Sequence, residues 1–313
     1  IISMLYIVIF FIDHRYPPNF KLSVPFYFHK KIYAEIKKDT YPNSVLEIPF
    51  TARDGFTYFG DESAIYQFVG NYIHKKPFIG GYTGRVPEYI KDYYENNAFI
   101  GYLGRIIDEN ITQNGSIDRS KLGYWHRIKI EEAKRAVNFL DIRHIILNTD
   151  KLYATTLSET LQKIGYRKIL RERNYIYMKM KTHHEEFSSI DLGKRESLLQ
   201  LGMGWSTIEE GKYRWAGDTS SVLIKINEKK NRSISFTISS YSGQNEVTVY
   251  IDRRLVGKKT VGDAIETYTM RIPFILKEGI HEMHFIFRKK NHLIDGRYVS
   301  AKFYTINLIS DNE

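Results

Sequence analysis

Residues able to bind a polar ligand are densest in two stretches of the first half of the chain. They read ARDGFTYFG at residues 52–60 and HKKPFIGGYTGR at residues 74–85. Arginine offers a planar fork of hydrogen-bond donors and histidine titrates near neutral pH, so the two stretches favour a site for a polar or anionic ligand. The candidate ligand-binding residues are Arg53, Asp54, His74, Lys75 and Arg85. The alternative is a structural network of ion pairs among the same side chains.

Three glycines in the second stretch, Gly80, Gly81 and Gly84, would let the backbone approach a ligand or a neighbouring element closely. Their order fits neither the dinucleotide-binding fingerprint nor the Walker pattern, in which a lysine follows the last glycine. The glycines therefore give only weak support to a phosphate-binding loop.

A second group of candidates lies further along the chain, where two tryptophans flank a pair of acidic residues. The candidate sugar-binding residues are Trp205, Glu209, Arg214 and Trp215, with Glu210 beside them. An indole ring offers a large apolar platform for a sugar face, and arginine and glutamate can hydrogen-bond the sugar hydroxyls. The alternative is that both tryptophans close one end of a hydrophobic core.

Other kinds of site find no support in the sequence. The chain has no cysteine, which excludes disulfides and thiolate chemistry, and the HExxH and GxSxG motifs and DxD-type metal motifs do not occur. The pair His183 and His184 lies in a polar stretch where solvation is the simpler interpretation than metal binding. The 36 acidic residues offer no pair that spacing alone selects for acid–base work. We therefore expect no catalytic residue, metal or cofactor in this chain.

Composition indicates a protein that folds mostly in water as two units. The chain has 313 residues, of which 42% are hydrophobic and 26% charged, and this length exceeds the usual size of one hydrophobic core. The net charge is +10, but the basic residues are spread along the chain and interleaved with acidic ones. Without a basic cluster or a nucleic-acid-binding motif, we do not expect nucleic acid as a partner.

The N-terminal residues 4–12 (MLYIVIFFI) form an uninterrupted apolar run. It is shorter than the roughly 20 residues that span a bilayer. We interpret residues 1–19 as the end of a transmembrane helix and its connector. A buried strand and the core of a signal peptide are the alternatives.

The remaining pattern predicts an α/β domain, a mixed sheet with flanking helices, over residues 20–182, because strand-like and helix-like segments alternate there. Helices are predicted near residues 61–74, 130–140 and 155–164, and a hairpin turning at Arg173 and Asn174. Residues 183–197 read as a linker. Residues 198–313 contain short alternating strands, which predict an all-β jelly roll or β-sandwich.

Together these segments resemble the C-terminal extracytoplasmic region of polytopic membrane glycosyltransferases of the GT-C type. The resemblance is carried by VLEIPF (45–50), RDG (53–55), Gln67 with HKKPFIGGYTGRVP (74–87), FLDIRHIIL (139–147) and the stretch from Trp205 to Trp215. It implies an extracytoplasmic location, a preceding membrane helix and a sandwich similar to carbohydrate-binding modules. In such proteins the catalytic carboxylate lies in a loop near the first membrane helices, a part that this chain does not contain.

The leading hypothesis is a non-catalytic extracytoplasmic region that helps a membrane glycosyltransferase-like protein recognise a glycan or a lipid-linked sugar. One alternative is a structural or assembly module without a ligand, for which well-packed tryptophans would be evidence. Another is a free-standing glycan-active enzyme that uses the loops from Arg53 to Arg85.

Overall fold

The computed structural model describes residues 29–41, 43–53, 58–61, 64, 67–82, 88–111, 129–181, 185–289, 291–292, 296 and 298–310. The predicted membrane segment at residues 4–12, and the rest of residues 1–19, lie outside this set. Within the described residues, no helix combines the length and apolar character needed to cross a bilayer.

The first half of the chain mixes helices with short strands. In chain order they are α1 (Lys30–Lys38), β1 (Ser44–Ile48), β2 (Thr51–Arg53), β3 (Tyr58–Gly60), α2 (Gln67–His74), β4 (Gly81–Tyr82), α3 (Glu88–Asn96), α4 (Ile100–Ile111), α5 (Ile130–Phe139), β5 (Ile142–Asn148), α6 (Ala154–Ile164), β6 (Arg167–Glu172) and β7 (Tyr175–Lys179). Helix α2 begins at Gln67, later than the predicted residue 61.

Four of these strands form a mixed sheet in the order β1-β5-β7-β6. Strands β1 and β5 are parallel, whereas β5, β7 and β6 pair antiparallel. Alternate residues of a strand face opposite sides of a sheet. Accordingly Leu46 packs in a core with residues of α4, α5 and α6, whereas its neighbour Val45 packs with residues of α1. Helices therefore cover both faces of this sheet.

The hairpin of β6 and β7 turns at Arg173 and Asn174 as predicted, and Arg173 has a φ of 54°. Helix α6 ends at Gly165, whose φ of 124° is costly for residues with a side chain. A separate sheet in the order β3-β2-β4 brings the two candidate loops of the first half together.

The second half is a β-sandwich, as predicted. Its strands are β8 (Ser189–Asp191), β9 (Arg214–Ala216), β10 (Thr219–Ile226), β11 (Arg232–Ser240), β12 (Asn245–Ile251), β13 (Arg254–Val261), β14 (Glu266–Arg271), β15 (Gly279–Phe287), β16 (Asn291–His292), β17 (Tyr298–Val299) and β18 (Ala301–Ser310). One sheet has the order β10-β15-β12-β13 and the other β14-β11-β18-β8, with β9 also paired to β18. Inward residues such as Phe236, Phe285 and Phe303 form the core between them.

The predicted linker over residues 183–197 needs correction. Part of it, β8, pairs with β18 as an edge strand of the sandwich, and Ile190 is fully buried. A 3-10 turn, Arg195–Leu199, follows. Within β8, Ser189 and Asp191 face outward on an edge strand, where exposed polar side chains are usual.

The two halves meet through specific contacts. Lys225 of β10 donates a hydrogen bond to the carbonyl of Asn138 at the end of α5 and lies 3.4 Å from a carboxylate oxygen of Asp141. Phe139 and Phe187 make an edge-to-face ring contact at 5.1 Å. A buried cation and a ring contact thus join the first half to the sandwich.

Candidate functional site

The two candidate loops of the first half start from adjacent strands. Arg53 of β2 pairs with Tyr58 of β3 on one side and with Tyr82 of β4 on the other. The described strand residues of the two stretches, 52–53 and 58–60 from the first and 81–82 from the second, therefore lie side by side in this small sheet. Asp54 and Arg85 lie outside the described residues, so Arg53, His74 and Lys75 are the members of the predicted set that the structure places.

His74 is a packed, neutral side chain. It is 3% exposed, its Nδ1 accepts a hydrogen bond from the backbone amide of Lys76 at 3.0 Å, and its ring contacts that of Tyr33. Burial, together with the charge of Lys76, lowers the pKa of His74 to about 4. These contacts favour a structural role for His74, whereas Lys75, with a φ of 60°, is exposed to solvent.

A half-buried acid that shares the neighbour Tyr33 with His74 was not among the predicted site residues. Glu47 of β1 accepts a hydrogen bond from the Tyr33 hydroxyl at 3.0 Å. Burial raises the pKa of Glu47 to about 8, so its carboxyl is largely protonated at neutral pH. Helix α2 approaches closely here: a Cβ on Gly70 would lie 2.4 Å from the Glu47 carboxylate oxygen. The one available sequence signal was a glutamate inside an otherwise apolar strand.

A second missed cluster surrounds Asp39, just after α1. Its carboxylate lies 3.0 Å from Lys179 Nζ and 3.5 Å from both Arg143 Nε and His144 Nε2. Burial acts to raise the pKa of Asp39, but hydrogen bonds from Lys179 and the Tyr41 amide, with the charge of Arg143, hold it at about 2. The cluster ties α1 to β5 and β7 and behaves as a structural ion-pair network.

Trp205 is fixed in the sandwich. Its indole Nε1 donates a hydrogen bond to the Ser221 carbonyl at 2.6 Å, and its ring packs edge-to-face on Phe303 of the core at 5.3 Å. The preceding Gly204 has a φ of 81°, and a Cβ there would lie 2.0 Å from the Thr219 carbonyl oxygen. Trp205 thus closes one end of the core, as the alternative interpretation held.

Arg214 and Trp215 are also largely enclosed, at 3% and 6% exposure. The Arg214 guanidinium donates to the Ser206 carbonyl at 2.7 Å, and burial lowers the pKa of this guanidinium. A turn with positive φ at Glu210 and Gly211 joins the two short segments, and the Glu209 amide bonds the Tyr213 carbonyl. The predicted sugar-binding group is therefore a small folded unit in which Arg214 and Trp215 present little surface.

An aromatic cluster spreads from Trp215 over the outer face of the sandwich. The ammonium of Lys302 lies 4.8 Å from the ring centre of Tyr213 and 4.9 Å from that of Trp215. Tyr241 makes an edge-to-face contact with Trp215 at 5.3 Å and is 40% exposed. Because Lys302 covers the other two rings, Tyr241 is the member of this cluster whose ring is available to a ligand.

Hydroxyl and amide side chains continue from this cluster along the outer face of the same sheet. In one row across the strands Thr305 donates to Thr237, which shares a hydrogen bond with Thr267. In the next row Ser189 donates to Asn307 at 2.6 Å. We call Tyr241 and these two rows the polar sheet face. The side chains that define this face are uncharged and held on rigid strands, with the Lys302 ammonium nearby over Trp215, so they can hydrogen-bond neutral hydroxyls.

The described residues contain no group of three or more His, Asp or Glu side chains placed to hold a metal ion. Nothing in the geometry of the described clusters calls for a cofactor.

Comparisons with known proteins give only distant structural similarities. No family model matches the chain, and no curated protein matches it. Similar solved structures include the carbohydrate-binding module CBM6cm-2 from Cellvibrio mixtus lichenase 5A in complex with cellotriose, at 11% identity and a TM-score of 0.27, covering 41% of this chain and 100% of that chain. Another is the CBM36-1 domain of a xylanase from the hindgut metagenome of Trinervitermes trinervoides, at 11% identity and a TM-score of 0.28, with coverages of 41% and 100%.

A third similar structure is the Podospora anserina GH26-CBM35 β-(1,4)-mannanase, at 12% identity and a TM-score of 0.28. It is matched over 40% of this chain, which spans 28% of its length. At these TM-scores the similarities transfer no function to this chain.

Proposed function

We propose that this chain is a non-catalytic, extracytoplasmic region of a membrane glycosyltransferase-like protein, and that its β-sandwich recognises a glycan through the polar sheet face. The glycan is an acceptor chain or the sugar part of a lipid-linked substrate. The membrane connection rests on the motif resemblance of the first half and on the apolar run at residues 4–12.

The observation that carries glycan recognition is the exposed Tyr241 ring beside rows of hydroxyl and amide side chains. Trp215 supports the Tyr241 ring from the side, at 5.3 Å between ring centres. A sugar has an apolar face and a rim of hydroxyls, so it matches a surface with one aromatic ring and several hydroxyl partners. Mutual hydrogen bonds already order Thr237, Thr305 and Asn307, which lowers the entropy cost of binding.

A glycan array with the complete chain, followed by calorimetry on the glycans that bind, tests this proposal. Tyr241→Ala should weaken binding roughly threefold to tenfold, the range expected for one aromatic stacking contact. The matched control is Tyr58→Ala, since Tyr58 is 45% exposed and lies in the first half. Circular dichroism and the thermal midpoint check that both variants fold.

Saturable binding that Tyr241→Ala weakens and Tyr58→Ala leaves intact supports the polar sheet face. Binding that only Tyr58→Ala weakens would move the glycan site to the loops around Arg53. If the folded chain binds no glycan, recognition by this chain is wrong.

A structural or assembly module is the second candidate, and the packing of the two tryptophans against the sandwich favours it. Trp205 bonds the Ser221 carbonyl and Trp215 is 6% exposed, so both serve packing. In this case the chain supports the parent protein without a ligand of its own. The glycan array separates the two candidates, because only the first requires saturable binding.

A further inference from the structure

A groove of about 620 Å³ opens where the two halves of the chain meet. Its walls come from the end of α3 and the start of α4, from the first turns of α5, and from the 3-10 turn of the second half. Ligand sites occur often at such junctions, and this volume lies within the usual range for small-molecule sites. The side chains that matter below are Tyr102, Arg105, Arg135, Arg195, Leu198 and Leu199.

The contacts between the halves fix the shape of the groove. The Tyr93 hydroxyl of α3 donates a hydrogen bond to the Leu199 carbonyl at 3.0 Å. Leu199 also packs against the hydrophobic core of the first half. Arg135 of α5 also contacts the second half, since its guanidinium lies 5.9 Å from the ring centre of Phe187. The Tyr93 hydrogen bond therefore holds the 3-10 turn that carries Arg195 against α3.

The groove lining has more basic than acidic side chains. Its lining holds four cations, Arg105, Lys129, Arg135 and Arg195, and three acids, Glu95, Glu132 and Glu196. Lys129 pairs with Glu132 at 2.7 Å, and Glu95 lies 3.7 Å from Lys91 outside the groove. In the part of the chain that the structure describes, Arg135 and Arg195 are exposed and form no ion pair.

Backbone donors at the start of α4 do not contribute to this site. The side-chain oxygen of Asn97 already accepts hydrogen bonds from the amides of Phe99 and Ile100, both at 3.0 Å. An anion in the groove must therefore be held by the arginine side chains of α5 and the 3-10 turn, Arg135 and Arg195. Each arginine presents its own fork of donors.

We propose that this groove binds a small ligand that carries a phosphate group. Arginine pairs with phosphate oxygens through two parallel hydrogen bonds, and the guanidiniums of Arg135 and Arg195 come from separate elements, so together they can pair with more oxygens of a phosphate monoester than one arginine alone. Tyr102, Leu198 and Leu199 offer apolar contact to the rest of the ligand. This site is separate from the polar sheet face and does not depend on glycan recognition there.

Calorimetry on the complete chain, with glucose 1-phosphate, inorganic phosphate and glucose as probes, tests the groove. We expect saturable binding of glucose 1-phosphate, weaker binding of phosphate and none of glucose. Arg135→Gln and Arg195→Gln should each weaken binding about tenfold, as for one lost charge-assisted hydrogen bond, and Arg195→Lys should weaken it less. The matched control is Arg288→Gln, which removes an exposed cation of the sandwich.

Vesicles of phosphatidylcholine with and without phosphatidic acid distinguish a lipid source of the phosphate from a soluble one. Binding to phosphatidic acid vesicles that both groove variants weaken supports the groove with a lipid headgroup as the ligand. The proposal is overturned if no phosphate compound binds, if glucose binds as well as glucose 1-phosphate, or if Arg288→Gln weakens binding as much as the groove variants. The last result would indicate general attraction to a basic chain.

Discussion

At the scale of single residues, the first half holds two acids whose surroundings shift their pKa values in opposite directions. Asp39 lies among three basic side chains, and the pKa of its carboxyl is held at about 2. Glu47 has Tyr33 as its hydrogen-bond partner, and burial raises the pKa of its carboxyl to about 8. An acid next to basic side chains stabilises the fold when ionised, whereas a desolvated acid without a cation beside it does so when protonated.

Glu47 should therefore make stability fall as the pH rises. Because the folded state binds this proton more tightly than the unfolded chain, the contribution is complete below about pH 4.5 and is lost as the pH approaches about 8. Glu47→Gln, which stays neutral, should be nearly as stable as the parent near pH 4.5. It should be more stable by roughly 2 kcal/mol near pH 8, after allowance for partial exposure of the site.

Urea unfolding of both proteins at several pH values measures this difference. Glu95→Gln, which removes an exposed acid of α3, is the control and should give a difference that does not grow with pH. A constant difference between Glu47→Gln and the parent at all pH values would contradict a raised pKa of Glu47.

At the scale of elements, α1 owes its N-terminal cap to a residue far away in sequence. His29 makes no side-chain capping bond. Instead the Glu172 carboxylate, at the end of β6, accepts hydrogen bonds from the amides of Lys31 and Ile32 at 3.0 and 3.1 Å. The negative charge also complements the positive end of the helix dipole. The hairpin of β6 and β7 thus supports the start of α1.

Glu172→Ala should lower the free energy of unfolding by about 1 kcal/mol, the usual cost of a lost N-cap. Glu172→Gln keeps an acceptor oxygen without the charge and should cost less. Urea unfolding monitored by circular dichroism gives the free energies, and hydrogen exchange at the first turn of α1 shows whether the loss is local. Equal stability of Glu172→Ala and the parent would show that this cap contributes nothing.

At the scale of the whole molecule, one buried lysine joins the two halves. Lys225 is 4% exposed, and its ammonium donates to the Asn138 carbonyl near the end of α5. Carbonyls in the last turn of a helix lack partners within the helix and attract cations. Lys225 therefore caps a helix of the other half, and the Asp141 carboxylate balances its charge.

Lys225→Met should lower the free energy of unfolding by about 2–3 kcal/mol, because it leaves the Asn138 carbonyl and the Asp141 carboxylate without their cation. Hydrogen exchange should speed up at the last turn of α5 and in β10, and stay unchanged in the distant β13. Lys168→Met, which removes an exposed lysine of β6, is the control. Unchanged exchange at α5 in the Lys225 variant would show that this contact does not hold the halves together.

The sequence by itself determined the elements whose signal is local. The strands of the sandwich from residue 222 onward, the helix α5 and the hairpin turn at Arg173 follow from apolar periodicity and turn residues, which neighbours in sequence encode. Strand β13 carries no such signal because it is an edge strand, and its mostly exposed residues, such as Lys258 and Lys259, show no apolar alternation. For the same reason, the sequence pattern predicted the edge strand β8 as part of a linker.

Only the tertiary structure decided which side chains meet. Trp205 and Trp215 had the residue types of a sugar platform, but Trp205 packs half-buried on the core, Lys302 covers Trp215, and the most exposed ring of the cluster belongs to Tyr241. Glu47 and the groove at the junction could not be selected from the sequence, since their partners come from distant segments. Burial and charge compensation depend on contacts across the fold, and these carry no local pattern.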